Sequence, residues 1–349
     1  MDPALSDLTE RVRAATAART PLVIRAGGSK DFYGNATEGQ ILDPRGYAGI
    51  VAHEPTELVI TARCGTPLAE LEAALDAAGQ MLPFEPPHFG PRATVGGCVA
   101  AGLAGPGRAS AGGVRDYLLG VKLLTGQGEV LSFGGTVMKN VAGYDVARLA
   151  AGSLGILGVI VEVSLKVLPK ALAETTLRLE LDEAAALKRM NEWAGQPLPI
   201  SATAWRDGVL HLRLSGARAA VSEAARRIGG EPADGDIWFG LREHTDPFFA
   251  GDAPLWRLAL PSVAQPVGLP GAQLIEWNGG QRWLHGDAPA EQIRARAAAL
   301  GGHAVRFRGG ERRDVFAPLP PPIAAIHRRL KAEFDPAGIF NRGRMYSDL

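Results

Sequence analysis

Cysteine is nearly absent from this 349-residue chain. Cys64 and Cys98 are too few for a disulfide framework, and too few to ligate an iron–sulfur cluster, which commonly takes four thiolates. Any such cluster must sit on another chain. Surplus charge is missing as well: Lys plus Arg and Asp plus Glu both number 37. Nothing therefore advertises nucleic acid or an anionic membrane, and a small-molecule or protein partner fits better. Long apolar runs are also lacking. The most hydrophobic stretch, ILGVIVEVSLKVLP from Ile156, carries Glu162, Ser164 and Lys166 at alternate positions, a strand's rhythm rather than that of a transmembrane segment. The opening residues MDPALSDLTERVRAA lack the basic and apolar regions of a signal peptide. They predict an amphipathic helix capped by Asp2 with Pro3 at its first position, in a protein expected to be cytoplasmic, reaching a membrane only through partner subunits.

What the chain has in quantity is glycine. In TVGGCVAAGLAGPGRASAGG, residues 94–113, seven of twenty residues are glycine. Each costs roughly 1 kcal/mol relative to alanine in a helix, so the tract is not expected to form a stable one. Before it, a helix and short β-rich runs at Leu22, Ile41, Ile50 and Leu58 read as a small α/β unit ending near residue 65. Thr66 is the expected cap of the next helix, with Pro67 at its first position, Leu68, Leu71 and Leu75 one turn apart, and Gly79 as its stop. A hairpin signalled by Gly126 to Gly128 and a long strand to Pro169 complete a first block, 1–171, in two lobes.

From residue 172 the character changes, with the tryptophans gathered between Trp193 and Trp283. Two βαββαβ-like halves are expected over 172–317, forming one antiparallel sheet with helices on a single face, although the first helix of the second half is indistinct around VAQPVGLPG. PLPPP from Pro318 reads as a stiff linker, and 318–349 as a helix and tail returning to the first block. The fold class is α+β.

Two loops invite a chemical reading: RAGGSKDFYG from Arg25, directly after a strand, and the glycine tract. Bare backbone lets amides approach an anion and cradle a pyrophosphate. Neither loop matches G-x-G-x-x-G or a P-loop, and for the shorter one a simple turn is an equal alternative. Cys98 is either a reactive thiol or a small buried hydrophobe, the commoner fate of free cysteine. Asp145 is either a general base or a helix cap with Arg148 as partner, and Tyr144 either faces a ligand or fills core.

The segments PLVIRAGGSKDFYG, PRATVGGCVAAGLAGPGRASAGGVRDYLLGVKLLTGQGEVL and KNVAGYDVARLAAGSLGILGVIVEVSLKVLP, in that order and spacing, resemble the FAD-binding domain of the vanillyl-alcohol oxidase and p-cresol methylhydroxylase superfamily. Within it, GGSK, VMKNVAGYDVARL and FDPAGIFNRGR resemble the FAD-binding (E-type) subunit of bacterial glycolate oxidase. The resemblance covers about 1–170 and 320–349 well, and the middle weakly. It implies that Ala26, Gly27, Gly28, Ser29 and Lys30 wrap one side of an FAD pyrophosphate, with Thr94, Gly96, Gly97, Ala101 and Gly102 closing the other. Gly112, Val114 and Asp116 would follow the ribityl and adenosine portion, Gly155 and Ile160 would abut the adenine, and Arg344 would neighbour the flavin. Gly102 replaces a frequent asparagine, and Asn341-Arg342-Gly343 a usual Asn-Pro-Gly. No histidine stands in the first loop where covalent members tether FAD, so a dissociable cofactor is expected.

Catalytic residues are less legible. The hydroxy-acid dehydrogenases that this family resembles use H-x-G-D-G-N-x-H, whereas this chain offers only isolated His285 and His303, so no metal site is expected. Arg206, Arg257, Arg282 and Arg306 are candidates for a carboxylate clamp. Trp205, Trp256, Trp277 and Trp283 either line a substrate slot or pack a sheet face. The resemblance implies an accessory FAD subunit of a glycolate oxidase complex, partnered by a larger catalytic flavoprotein and an iron–sulfur subunit. A self-sufficient FAD oxidase or dehydrogenase of hydroxy acids or sugars, and a non-catalytic scaffold, stay open.

Overall fold

The computed structural model describes residues 2–136 and 145–349. Asp2 accepts the amide of Ala4 and Pro3 opens α1 (Pro3–Ala18), whose Leu8, Val12 and Ala15 form a buried stripe. The chain continues through β1 (Leu22–Ile24), β2 (Gln40–Leu42), β3 (Ile50–Glu54), β4 (Val59–Arg63), α2 (Leu68–Ala77), β5 (Gln80–Met81) and α3 (Val95–Ala101). Then come α4 (Arg108–Ala111), α5 (Val114–Tyr117), β6 (Leu118–Leu124), β7 (Val130–Gly134), α6 (Val146–Ala150), β8 (Val159–Lys166) and β9 (Leu168–Pro169).

β1 and β2 pair in parallel, while an antiparallel sheet runs in the order β3-β4-β8-β6-β7. Its β4–β8 pairing, with Val59 opposite Lys166, joins strands from either side of residue 65 in one sheet. β8 is the long strand the sequence predicts, yet its polar face is covered: Glu162 is buried and pairs with Lys122 at 2.7 Å, and the Ser164 and Thr61 hydroxyls meet at 2.8 Å. α2 and α3 pack on this sheet through Leu68, Leu71, Leu75 and Val99.

Two local expectations fail. Thr66 does not cap α2, whose N-cap is Pro67; its hydroxyl donates to the Gly49 carbonyl at 3.1 Å and accepts the Gly49 amide at 2.9 Å, tying two loops together. The glycine tract does hold a helix, the seven-residue α3, with Thr94 as N-cap and Gly102 as left-handed C-cap. Packing overrides propensity here. A Cβ on Gly96 would stand 2.6 Å from the Cys64 Cβ, so glycine is what lets α3 lie this close to the segment after β4.

The remaining elements are β10 (Ala173–Glu180), α7 (Glu183–Ala194), β11 (Ile200–Arg206), β12 (Val209–Gly216), α8 (Arg218–Ile228), β13 (Glu231–Ala233), α9 (Asp236–Glu243), β14 (Leu255–Ala259), β15 (Ala272–Glu276), β16 (Gln281–His285), α10 (Ala290–Ala299), β17 (His303–Arg308) and α11 (Pro321–Phe334). The strands β10 to β17 form one antiparallel sheet in the order β13-β10-β12-β11-β15-β16-β14-β17. The second half repeats the first in mirror order, so the second strand of each, β11 and β15, meet at the join. No helix lies between β14 and β15. Pro261, Pro266 and Pro270 remove donors there, and the loop carbonyls are satisfied instead by Arg282 and Arg296.

One face of this sheet packs on α7, α8 and α10. The other also bears a helix, because α9 places Trp238 and Leu241 against Ala202 and Ala204, beside Tyr33 and Leu103 from the first block. Helices therefore lie on both faces, not on one. The sequence showed no way to foresee α9's side.

Candidate cofactor site

An open cleft is bordered by the loop after β1, by Thr94, Gly97, Ala100 and Ala101 around α3, and by Leu154, Asn341 and Arg344. A second recess, lined by Gly96, Gly155 and Ile160 among others, shares Ala26, Thr94, Gly97 and Asn341 with it and continues it toward β8.

The loop is held open by its anchors. The side-chain amide of Asn341 accepts the Ile24 amide at 2.8 Å and donates to the Leu154 carbonyl at 2.6 Å, fixing the end of β1 to the segment before β8. Arg344 donates to the carbonyls of Lys30, Asp31 and Asn35 at 3.1–3.3 Å. Gly28 sits at φ +72° between them, a conformation that favours glycine. With the Gly28 and Lys30 carbonyls engaged and its curvature set, the loop leaves its donors unused. Among the described residues, the amides of Ala26, Gly27, Gly28, Ser29 and Lys30 donate to nothing.

The electrostatics favour an anion. Burial lowers the pKa of Lys30, whose ammonium donates to the His88 carbonyl at 3.2 Å, and burial together with nearby Arg312 brings Arg344 down to about 10. Arg344 stays cationic near neutrality, and neither side chain forms an ion pair among the described residues.

The second segment behaves differently. The Gly96 amide is taken by the Cys64 carbonyl at 2.9 Å and that of Gly97 by the Thr94 hydroxyl at 3.2 Å, so these glycines give access rather than donors. Of the sequence-predicted residues, Ala26, Gly27, Gly28, Ser29, Lys30, Thr94, Gly97, Ala101 and Arg344 border the cleft, and Gly96, Gly155 and Ile160 its continuation. Gly102, Gly112, Val114 and Asp116 are not brought to it. Gly102 abuts Gly152, Val114 is buried in the core, and the Asp116 carboxylate accepts the Gly113 amide at 2.8 Å.

Cys98 is buried with its thiol pushed up to about 12, the state of a packed hydrophobe. Asp145 caps α6 and pairs with Arg148 at 3.1 Å. Tyr144 lies outside the described residues. Among the clamp candidates, Arg206 pairs with Asp246, while Arg282 and Arg306 are spent on main-chain carbonyls. The His285 ring meets the Ala253 carbonyl at 2.8 Å, His303 is exposed, and no cluster of metal-ligating side chains occurs among the described residues. Asn341, a lining residue, was visible in the sequence only as part of a turn motif.

The FAD binding domain family matches residues 5–147. Over 342 residues the chain is 51% identical to the glycolate oxidase subunit GlcE of Escherichia coli, a match covering 98% of this chain and 97% of that protein. The glycolate oxidase subunit GlcD of Bacillus subtilis is 30% identical over 161 residues, 46% of this chain and 34% of that one. A solved alkyldihydroxyacetonephosphate synthase superposes with a TM-score of 0.67 at 15% identity, covering 96% of this chain and 75% of its own, and so shares the fold. No described helix is long and apolar enough to cross a membrane. On a match of this identity along nearly its whole length, the chain belongs to the GlcE family of glycolate oxidase subunits, FAD-binding components of an oxidoreductase.

Proposed function

We propose that the chain holds one FAD, without a covalent tether, as the accessory flavoprotein of a complex oxidising glycolate to glyoxylate. A larger flavoprotein takes the hydride, and an iron–sulfur subunit passes electrons onward. The observation that carries the cofactor's placement is the row of unused amides from Ala26 to Lys30 above a cleft edged by Lys30 and Arg344. Those donors fit a diphosphate's oxygens, and the cations supply its counter-charge. Ile24, Ala100 and Leu154 give the apolar wall that a flavin nucleotide also needs. Residues 1–171 would carry the cofactor, 172–317 cover it, and 318–349 complete the cleft.

When bound, the flavin supplies a two-electron acceptor that can release electrons singly. The chain's part is to bind it and to hold the loop, through Asn341 and Arg344 and through Phe32 packed on Phe89 and Phe307. The accessory role is supported by what a substrate oxidase of this kind would need and the sequence does not contain, the H-x-G-D-G-N-x-H motif. Any iron–sulfur cluster of the complex would sit on a partner, because this chain's two cysteines are buried and too few to ligate one.

Reconstitution with FAD tests the reading. The purified chain should take up one flavin that acid precipitation releases intact, and glycolate alone should leave its absorbance unchanged. The full complex should lose glycolate-dependent dye reduction when this chain is omitted. A chain that stays colourless in excess FAD sinks the cofactor assignment, and one bleached anaerobically by glycolate sinks the accessory role.

A further inference from the structure

The residues bordering the cofactor cleft and its continuation all come from outside 172–317, yet one side chain of that block reaches the cleft's edge through a single peptide group. Glu243, the last residue of α9, has a side chain only 9% exposed. Its carboxylate accepts the Phe89 amide at 2.9 Å and the His88 amide at 3.1 and 3.2 Å, and the neighbouring Arg242 donates to it at 2.9 Å. Phe89 sits at φ +51°, a left-handed conformation that a non-glycine residue keeps only where its surroundings hold it. On the other side of the same peptide, the His88 carbonyl accepts the Lys30 ammonium at 3.2 Å, and that ammonium lies 5.5 Å from the Phe89 ring. One peptide group thus carries Glu243 on its N–H and Lys30 on its C=O.

Lysine ends a flexible four-carbon stem, so where its charge stands depends on what its head group holds. We infer that Glu243 is a positioning residue for the cofactor: its grip on the His88–Phe89 peptide fixes the carbonyl that in turn fixes the Lys30 ammonium at the cleft edge. The inference rests on the flavin reading for its consequence, since Lys30 is one of the two cations offered to the diphosphate. A carboxylate on the N–H also polarises the peptide and strengthens its carbonyl as an acceptor. The same carboxylate acts through space, because burial lowers the pKa of Lys30 and the negative charge of Glu243 opposes that fall. Cys98 on α3 would oppose it too as a thiolate, but its thiol is pushed up to about 12 and stays neutral below that. The other charged groups around this turn and loop are engaged elsewhere: Glu72 of α2 meets the His88 ring at 2.9 Å, Asp31 pairs with Arg25 at 2.5 Å, and Arg344 holds the loop carbonyls.

Two measurements on the whole chain test this. In cofactor-free protein, acylation of Lys30 by acetic anhydride, read by peptide mass spectrometry, reports how far the amine is held and how it titrates. Glu243→Ala should acylate Lys30 at least about fivefold faster at pH 8. Glu243→Gln keeps an acceptor oxygen for the turn but no charge, and should chiefly move the midpoint of the rate–pH profile to lower pH, a shift that a merely structural role would not produce. In reconstituted protein, flavin fluorescence titration should show FAD bound about tenfold more weakly by Glu243→Ala and by Lys30→Met, with little further loss in the double variant, because both remove the same contact. Glu243→Gln should recover most of the affinity. Should Glu243→Ala fail to fold, Glu243→Gln and its profile decide. Lys30 acylation unchanged in rate and midpoint, or losses of affinity that multiply in the double variant, overturns the inference. A wild-type chain that takes up no flavin, while Lys30 acylation still answers to Glu243, refutes the cofactor assignment and leaves the positioning contact standing. A chain that binds FAD equally well with and without the Glu243 carboxylate refutes this inference alone.

Discussion

The loop from Ala26 to Lys30 and the tract from Thr94 to Gly113 are both glycine-rich, yet the structure uses them in opposite ways. The first leaves its amides unpaired and is held from outside by Asn341 and Arg344. The second spends its amides on other groups of the protein, and its glycines are spaces that other atoms occupy: Gly96 for Cys64, Gly102 for Gly152, Gly105 for the Glu85 carbonyl. Glycine content alone does not separate a donor cradle from a packing joint. What separates them is where the hydrogen bonds go.

That contrast can be broken, most forcefully at Gly102. Its φ is +63°, and a Cβ there would lie 2.8 Å from the Gly152 backbone, so Gly102→Ala should cost about 3 kcal/mol, read as a lower urea midpoint. If the variant unfolds like wild type, the tract is not a joint.

Glu276, buried beside Gly105 of the tract, reports its burial through pH. With its carboxyl near 7 in the folded chain and lower when unfolded, the folded state binds more protons between. Stability should therefore fall as pH rises from about 4.5 through 7. Replacing it by Glu276→Gln should remove that fall, a relative gain of up to about 3 kcal/mol by pH 8 in melts run across the range. Parallel profiles for the two proteins would mean that Glu276 is wet.

Asn341→Ala removes both bonds that hold the end of β1 and should cost about 2 kcal/mol, with faster amide exchange at Ile24 as the local signature. On the loop itself, Gly28→Ala should leave folding within about 1 kcal/mol but weaken FAD at least about tenfold by twisting the donor row. Equal loss of stability from Gly28→Ala and Gly102→Ala would erase the distinction between the two regions. The smallest effect is expected at the cysteines, both pushed up to about 12 by burial: a thiol reagent at pH 8 should label neither in the folded chain.

Sequence alone reached the first loop because strand, glycines and lysine are contiguous there. It reached β8 and the two-half sheet because a period of two survives in the residues. It missed α3, since packing against Cys64 outweighs the glycine penalty, and it misplaced Thr66, whose partner Gly49 is seventeen residues away. Glu243 carries no local signal. It meets His88 and Phe89 because α9 turns back over the sheet face, a matter of topology that spacing does not encode. Arg257 could be named as a candidate, but only the fold shows that it donates to the Tyr33 hydroxyl and, unlike Arg206, pairs with no carboxylate among the described residues.

The latch at α11 has a temporal side. Lys331 and Asp335 are buried together at 2.6 Å, and Asp335 accepts the amides of Ile339 and Phe340, which sets the turn presenting Asn341 to Ile24, 317 positions earlier. A nascent chain halted between α11 and that turn would have its strands and helices but a slack, unfinished mouth. Flavin capture should accordingly mark a chain synthesised past this turn.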